Sequence, residues 1–241
     1  MEQTKKLALV SGANRGIGLA IAGGLARRGV EVLLGCRDLG RGELASAPLR
    51  AAGGRVQPVQ LDLTDEGSVD ILAERIERDY GRLDILINNA GIVLDGNPEL
   101  SVVERMRRTL AVNVLGTLRL TEAMIPLLLG SSCARIVNVS SELASFGLRS
   151  EPDWPYAGID LPTYQASKAA VNSLTLSYAG QLQDRGIKVN AVCPGYTATE
   201  ATHFEGPRTP SQAAGIAINF ALLDADGPTG VFVNDEGELP W

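Results

Sequence analysis

Tyr164-Gln165-Ala166-Ser167-Lys168 sets a phenol and an amine four positions apart. On a helix, positions i and i+4 lie one above the other on the same face. A lysine one turn from a phenol favours phenolate and lowers the phenol pKa from about 10. The tyrosine then becomes a usable proton donor or acceptor near neutral pH. Such a pair is common by chance, so its neighbours carry the weight. Upstream, the apolar run Arg135–Val139 ends in Asn138-Val139-Ser140-Ser141, which puts hydroxyls at the tip of an expected strand. Asn113 lies in the otherwise apolar stretch Leu110–Leu115. A buried amide needs partners, so Asn113 is either a satisfied core group or part of a proton path through water.

A second constellation concerns phosphate. The first apolar run leads into Ser11-Gly12-Ala13-Asn14-Arg15-Gly16-Ile17-Gly18. Glycines let the backbone turn sharply, and the free N–H groups of a helix start attract phosphate. The G-x-x-x-G-x-G spacing is a variant of the dinucleotide fingerprint; its rival is a turn that merely packs helix on strand. The second run ends in Leu34-Gly35-Cys36-Arg37-Asp38. Arg15 and Arg37 could clamp a 2′-phosphate, which favours NADP over NAD. Asp38 is the contrary signal, since it could bind ribose hydroxyls if the strand ends later. Asp62 suits either an adenine amino group or a helix start, although Thr64 or Asp65 makes the better cap. Asn88-Asn89-Ala90-Gly91 suits ligand contact and backbone bracing, or a plain turn.

The elements that must position these residues follow from periodicity. Runs of Val, Ile and Leu near 7–10, 30–34, 56–61, 83–87, 135–139, 188–192 and 231–233 show little alternation, as strands buried on both faces do. Helical candidates lie near 16–28, 41–52, 66–79, 99–129, 163–185 and 211–224, the fourth being two helices or one with a bend. Alternation of strand and helix predicts an α/β fold, one domain over 1–241, with about seven parallel strands covered by helices on both faces. Segment 142–162, with Pro152, Pro155, Gly158 and Pro162, reads as an irregular insertion loop of the kind that is often functional.

Composition narrows the classes. The 241 residues carry a net charge of −6, which disfavours nucleic acid. No apolar run approaches the roughly 18 residues of a spanning helix; the densest, Met124–Leu129, is interrupted by Pro126. Leu7–Val10 is too short for a signal peptide. Cys36, Cys133 and Cys193 fit no zinc pattern and read as reduced cytoplasmic thiols. The single histidine, His203, has no partner motif for a hydrolase or a metal site.

In order along the chain, Gly12-x-x-x-Gly16-x-Gly18, Asp62, Asn88–Gly91, Asn113, Ser141, Tyr164-x-x-x-Lys168 and Pro194-Gly195 resemble the short-chain dehydrogenase/reductase family over nearly the whole sequence. Within it, the ending Ala221–Val233, Ser11–Arg15 and Cys36-Arg37-Asp38 look like the carbonyl reductases. The resemblance implies a seven-stranded Rossmann sheet and a catalytic tetrad on Asn113, Ser141, Tyr164 and Lys168. Ser141 is taken over Ser140 because the family's serine is usually the second of such a pair. It implies NADP(H) held by Gly12, Asn14, Arg15, Gly16, Ile17, Gly18, Arg37, Asp62, Leu63, Asn89, Ala90, Gly91, Tyr164, Lys168, Pro194, Gly195 and Thr197, with no metal. Ser141, Glu142, Leu143, Trp154, Tyr156 and Tyr196 are expected to wall a pocket for a small-molecule carbonyl or alcohol. Trp154 and Tyr156 could instead simply anchor the loop. Residues 196–210, with Thr199, His203, Gly206 and Pro207, would form a lid, with His203 a surface residue rather than a catalyst. The family expectation is a homodimer or homotetramer through 99–129 and 163–185. The separation of Ser141 from Tyr164 exceeds the family's common one yet falls short of the animal carbonyl reductases' long insertion, which is associated with a monomer. Glu142, directly after the serine, would select a cationic or polar substrate or point away. Rival readings are a non-catalytic NADP(H) sensor or scaffold, and a same-fold epimerase or dehydratase.

Overall fold

In the computed structural model, which describes residues 5–241, every expected apolar run is a strand. They are β1 (Leu7–Ser11), β2 (Glu31–Cys36), β3 (Val56–Gln60), β4 (Ile85–Asn88), β5 (Arg135–Val139), β6 (Lys188–Val192) and β7 (Phe232–Asn234). An eighth, β8 (Gly237–Glu238), is two residues long and pairs antiparallel with β7. The sheet order is β3-β2-β1-β4-β5-β6-β7-β8, with all other pairs parallel. The order reverses between β1 and β4, and in open α/β sheets the crevice beyond the carboxyl ends at such a point is where ligands bind.

Two apolar layers hold the sheet. On one face Ile21, Leu25, Ala217 and Ile218 pack from α1 (Gly16–Ala26) and α8 (Pro210–Ala221), α2 (Leu39–Ala51) lying beside them. A Cβ on Gly24 would lie 2.2 Å from Ile218 Cδ1, so the absence of a side chain lets these helices approach. On the other face Leu72 and Ile76 of α3 (Glu66–Tyr80) meet Leu120, Met124 and Leu128 of α5 (Thr117–Leu129) and Tyr178 of α7 (Pro162–Leu182). Asp65 caps α3 by accepting from Gly67 N–H, and Gly81 stops it at φ 71°.

The expected 99–129 region is one continuous helix, α4 (Val102–Leu110) running into α5 through a π turn at Ala111–Gly116. The absence of a bilayer-length apolar helix expected from sequence is therefore corrected: Val102–Leu129 is long and apolar enough by length and composition, at a window hydropathy of 1.4. Continuity through the π turn joins segments that looked separate. Its residues Leu120, Met124 and Leu128 are fully buried in the core.

The 142–162 insertion is more ordered than expected. It holds a 3-10 turn (Glu142–Ala144) and α6 (Phe146–Arg149) before a run of turns. Ser145 Oγ donates to Pro240 O at 2.6 Å and Gly147 N–H to Trp241 O at 3.2 Å. Trp241 stacks on Phe232 of β7, so the insertion is tied through residues 240 and 241 to the sheet edge.

Candidate active site

Ser141, Tyr164 and Lys168 line one cavity, while Asn113 lies buried beneath it. Ser141 follows β5, and Tyr164 and Lys168 stand one turn apart on α7. Lys168 Nζ lies 5.8 Å from the Tyr164 ring centroid and donates to Val139 O at 2.7 Å. Ser140 faces inward and donates to Asn172 at 2.6 Å, whereas Ser141 accepts from Leu143 N–H at 3.3 Å and stands beside the Tyr164 hydroxyl. The π turn rotates Asn113 into the interior, where it is 1% exposed. Its Oδ1 accepts from Ile92 N–H at 2.8 Å, and its Nδ2 donates to Ile92 O and Ser167 Oγ, both at 3.0 Å. Asn113 is thus a satisfied amide that ties the post-β4 loop to α7. A Cβ on Gly91 would lie 3.4 Å from Lys168 Nζ and 3.5 Å from Asn113 Oδ1, so the two polar groups flank one glycine.

The protonation of this site departs from the sequence expectation. Burial pushes the Tyr164 phenol up to about 12, Cys193 adding to the rise and the Ser141 hydroxyl opposing it. Burial also brings Lys168 down to about 8. Desolvation penalises the charged form of both groups, and the ammonium is bonded to a backbone carbonyl. A pKa raised that far leaves the Tyr164 phenol neutral at pH 7.

The glycine loop has the build of a cradle. Gly12 and Gly16 adopt φ 63° and 53°, where side chains are strained. A Cβ on Gly12 would sit 2.9 Å from Ala90 Cα, and one on Gly18 only 2.5 Å from Gly12 O and Asn89 Nδ2. Asn89 braces the loop, its Nδ2 donating to Ser11 O at 2.9 Å, while Ser11 Oγ accepts from the N–H groups of Asn89 and Ala90 at 3.0 Å. Asn88 turns into an internal network, donating to Thr121 and to Asn138 at 3.0 and 2.8 Å. Asn14 is half-buried on the loop. Gly195 follows Pro194 at φ 75°, and Thr197, buried, donates to Gly195 O at 2.9 Å. A dinucleotide's phosphates fit this loop, whose side-chain-free turn opens on the start of α1.

The expected nucleotide-selecting residues cluster at the ends of β1 to β3. Arg15 and Arg37 are both exposed. Arg15 forms an ion pair with Glu200 of the lid. Asp38 caps α2, its Oδ1 accepting from Arg41 N–H at 3.1 Å, and its side chain is otherwise exposed. Asp62 accepts from the Thr64 N–H and hydroxyl at 2.9 and 2.7 Å. Burial works to raise its pKa, but these bonds and the Arg37 charge prevail and hold it low. The helix cap is Asp65. Leu63 is a core residue, and a Cβ on Gly116 would lie 2.6 Å from its Cβ.

The cavity has a volume of about 700 Å³. Ser141, Glu142, Leu143, Tyr156 and Tyr196 all line it, and Trp154 does not. The Trp154 expectation is corrected: its ring packs edge-on against Tyr156 at 5.4 Å between centroids. The 196–210 segment lends Tyr196, Thr197, Thr199 and Glu205 to the cavity lining and holds a Thr197–Arg208 bridge and a 3-10 turn (Glu200–Thr202). His203 and Phe204 sit in the left-handed region at φ 49° and 63°. His203 is exposed at the cavity rim. No cluster of metal-binding side chains occurs among the described residues.

Sequence reasoning missed Asp95. Its carboxylate accepts from Thr163 N–H at 2.9 Å, Thr163 Oγ at 2.8 Å and Tyr164 N–H at 3.2 Å. It caps α7 from a distant loop, since the local cap position, Leu161, offers no side-chain bond. Only the tertiary fold brings it there. Asp95→Ala is expected to cost ~1–2 kcal/mol of stability and to lower kcat several-fold by loosening Tyr164. Thermal denaturation and turnover, measured together, check this.

Comparison with known proteins agrees with the site. The family described as short chain dehydrogenase matches residues 6–209. Carbonyl reductase (NADPH) 1 of Mus musculus is 31% identical, covering 100% of both chains. The structure of NADPH-bound carbonyl reductase from chicken fatty liver superposes with a TM-score of 0.85 at 26% identity, over 99% of this chain and 100% of that one. Salutaridine reductase from Papaver somniferum gives a TM-score of 0.83 at 29% identity, over 96% and 100%. The match spans both the glycine loop and the Tyr164–Lys168 helix, and the chain belongs to the short-chain dehydrogenase family.

Proposed function

We propose that the chain reduces ketones or aldehydes with NADPH and, in reverse, oxidises the matching alcohols with NADP⁺. The observation that carries this reading is convergence: Ser141, Tyr164 and Lys168 line the same cavity as Ile17, Asn89 and Gly91 from the loops after β1 and β4. A dinucleotide sensor would need the glycine loop but not a hydroxyl pair at its mouth. The NADPH-named relatives and the exposed Arg15 and Arg37 support the phosphate-bearing cofactor.

The bound dinucleotide supplies the hydride. Tyr164, neutral at pH 7, hands its proton to the carbonyl oxygen as that oxygen gains charge. Ser141 donates a hydrogen bond to the same oxygen, a contribution of about 3–4 kcal/mol in the transition state. Lys168 spends one proton on Val139 O and keeps the others for the nicotinamide ribose and for restoring the phenol. Asn113 fixes α7 through Ser167. Its Oδ1 keeps a second lone pair for a water that passes protons to Lys168. The free thiols of Cys36, Cys133 and Cys193 suit a cytoplasmic setting. Val102, Val103, Leu115 and Leu176 leave apolar surface on the α4–α5 and α7 faces, which suits a homodimer or homotetramer.

The test is NADPH or NADH consumption against a panel of aldehydes, ketones and quinones, with NADPH expected to be preferred. The pH profile adds a second check. As pH rises through about 8 Lys168 loses its positive charge, whereas Tyr164 keeps its proton to about 12. The kcat/KM for reduction should therefore fall above pH 8 along a one-proton limb. A limb that begins only near pH 10, the ordinary lysine value, would contradict the lowering of the Lys168 pKa by burial.

A further inference from the structure

We infer that the pocket is built for a carbonyl compound carrying a cationic amine, with Glu142 as its counter-ion. This rests on the reductase reading above. Glu142 directly follows Ser141, lines the cavity and is half-buried on the 3-10 turn. Two contacts fix it. Its backbone N–H donates to Cys193 Sγ at 3.2 Å, and its Oε1 accepts from Asn234 Nδ2 at 3.0 Å. Among the described residues no lysine, arginine or histidine forms an ion pair with it.

A half-buried carboxylate without a counter-ion costs folding energy that a charged ligand would return. The other charged side chains of the lining are of both signs, with His203 exposed at the rim beside them. Glu205, on the lid, is a second carboxylate, and the one lysine, Lys168, is buried and bonded to Val139 O. That lysine would repel an ammonium and turn it toward Glu142. Glu142 is felt in the cavity: the Cys193 thiol is pushed up to about 12 by burial first and by the Glu142 charge second. Leu143, Ile159 and Leu161 offer apolar wall for the hydrocarbon, and the rings of Tyr156 and Tyr196 can flank an ammonium. Carboxylate- and phosphate-bearing carbonyl compounds meet like charge at the same wall and are disfavoured.

The test compares an aryl ketone bearing a short dimethylammonium tail with its uncharged isopropyl isostere at pH 7. The wild type is expected to favour the cationic ketone by about ten- to thirtyfold in kcat/KM. In Glu142→Gln, where the amide can still accept from Asn234, that ratio should fall to within about threefold of unity. Calorimetric binding of the same two ketones to the Tyr164→Phe protein reads the preference without turnover. A ratio that is unchanged in Glu142→Gln, or a wild-type preference for the neutral ketone, overturns the inference even where both ketones are reduced. If neither ketone is reduced but the binding ratio still collapses in the Glu142→Gln, Tyr164→Phe double variant, the cation subsite stands and the reductase reading fails. Equal binding of the two ketones overturns the subsite.

Discussion

Tyr164→Phe is expected to fold, to bind NADPH, and to reduce carbonyl compounds about a thousandfold more slowly than the wild type. The backbone of residue 164 keeps its bond to Asp95, and the ring keeps its place beside Lys168, so only the hydroxyl is lost. General acid catalysis by a positioned group contributes roughly a hundred- to ten-thousandfold. The Lys168 ammonium, brought down to about 8, also stands at the cavity, but it donates to Val139 O. Ser141 is a far weaker acid, and burial holds the Cys193 thiol at about 12. Cofactor fluorescence, circular dichroism and turnover of one preparation check all three statements. A kcat within tenfold of the wild type would move the proton donor elsewhere.

The second large effect concerns cofactor choice. Replacing both Arg15 and Arg37 by alanine should lower kcat/KM with NADPH by about a hundred- to a thousandfold, since each removes charge-assisted bonds to a 2′-phosphate. The value with NADH should change less than about threefold. Asp38, the alternative ribose reader, caps α2 through one oxygen and is left in place in this variant, so only the phosphate contacts are removed. Glu200 enters as a competitor: its ion pair with Arg15 must give way to a phosphate. Parallel loss with both cofactors would make the arginines supports of the loop rather than readers of the phosphate.

Much of this was legible because parallel strands buried on both faces leave unbroken apolar runs. All seven runs became strands, and the one addition, β8, is a two-residue antiparallel return too short to leave a pattern. Spacing alone placed Tyr164 over Lys168 and the glycine turn at the head of α1. What escaped depends on tertiary distance. Asp95 caps a helix 68 positions away in sequence, and no local pattern marks it. The protonation of Tyr164 was misread for a related reason. Sequence shows a lysine one turn away, but not the protein mass that desolvates both groups, nor the Val139 carbonyl that takes a lysine proton. Trp154 reads equally as pocket wall or loop anchor in sequence, and its ring packs on Tyr156. The π turn at Asn113 was equally hidden, because a bend shows in sequence and an extra residue per turn does not.

The most direct test of the central claim follows the hydride itself. NADPH deuterated at the transferable position of the nicotinamide is incubated with the protein and an aryl ketone, and the product is analysed by mass spectrometry. The account predicts an alcohol one mass unit heavier, with the deuterium on the carbinol carbon and one oxidised cofactor per alcohol formed. An unlabelled alcohol, or cofactor that binds and is never oxidised across the whole carbonyl panel, would contradict it.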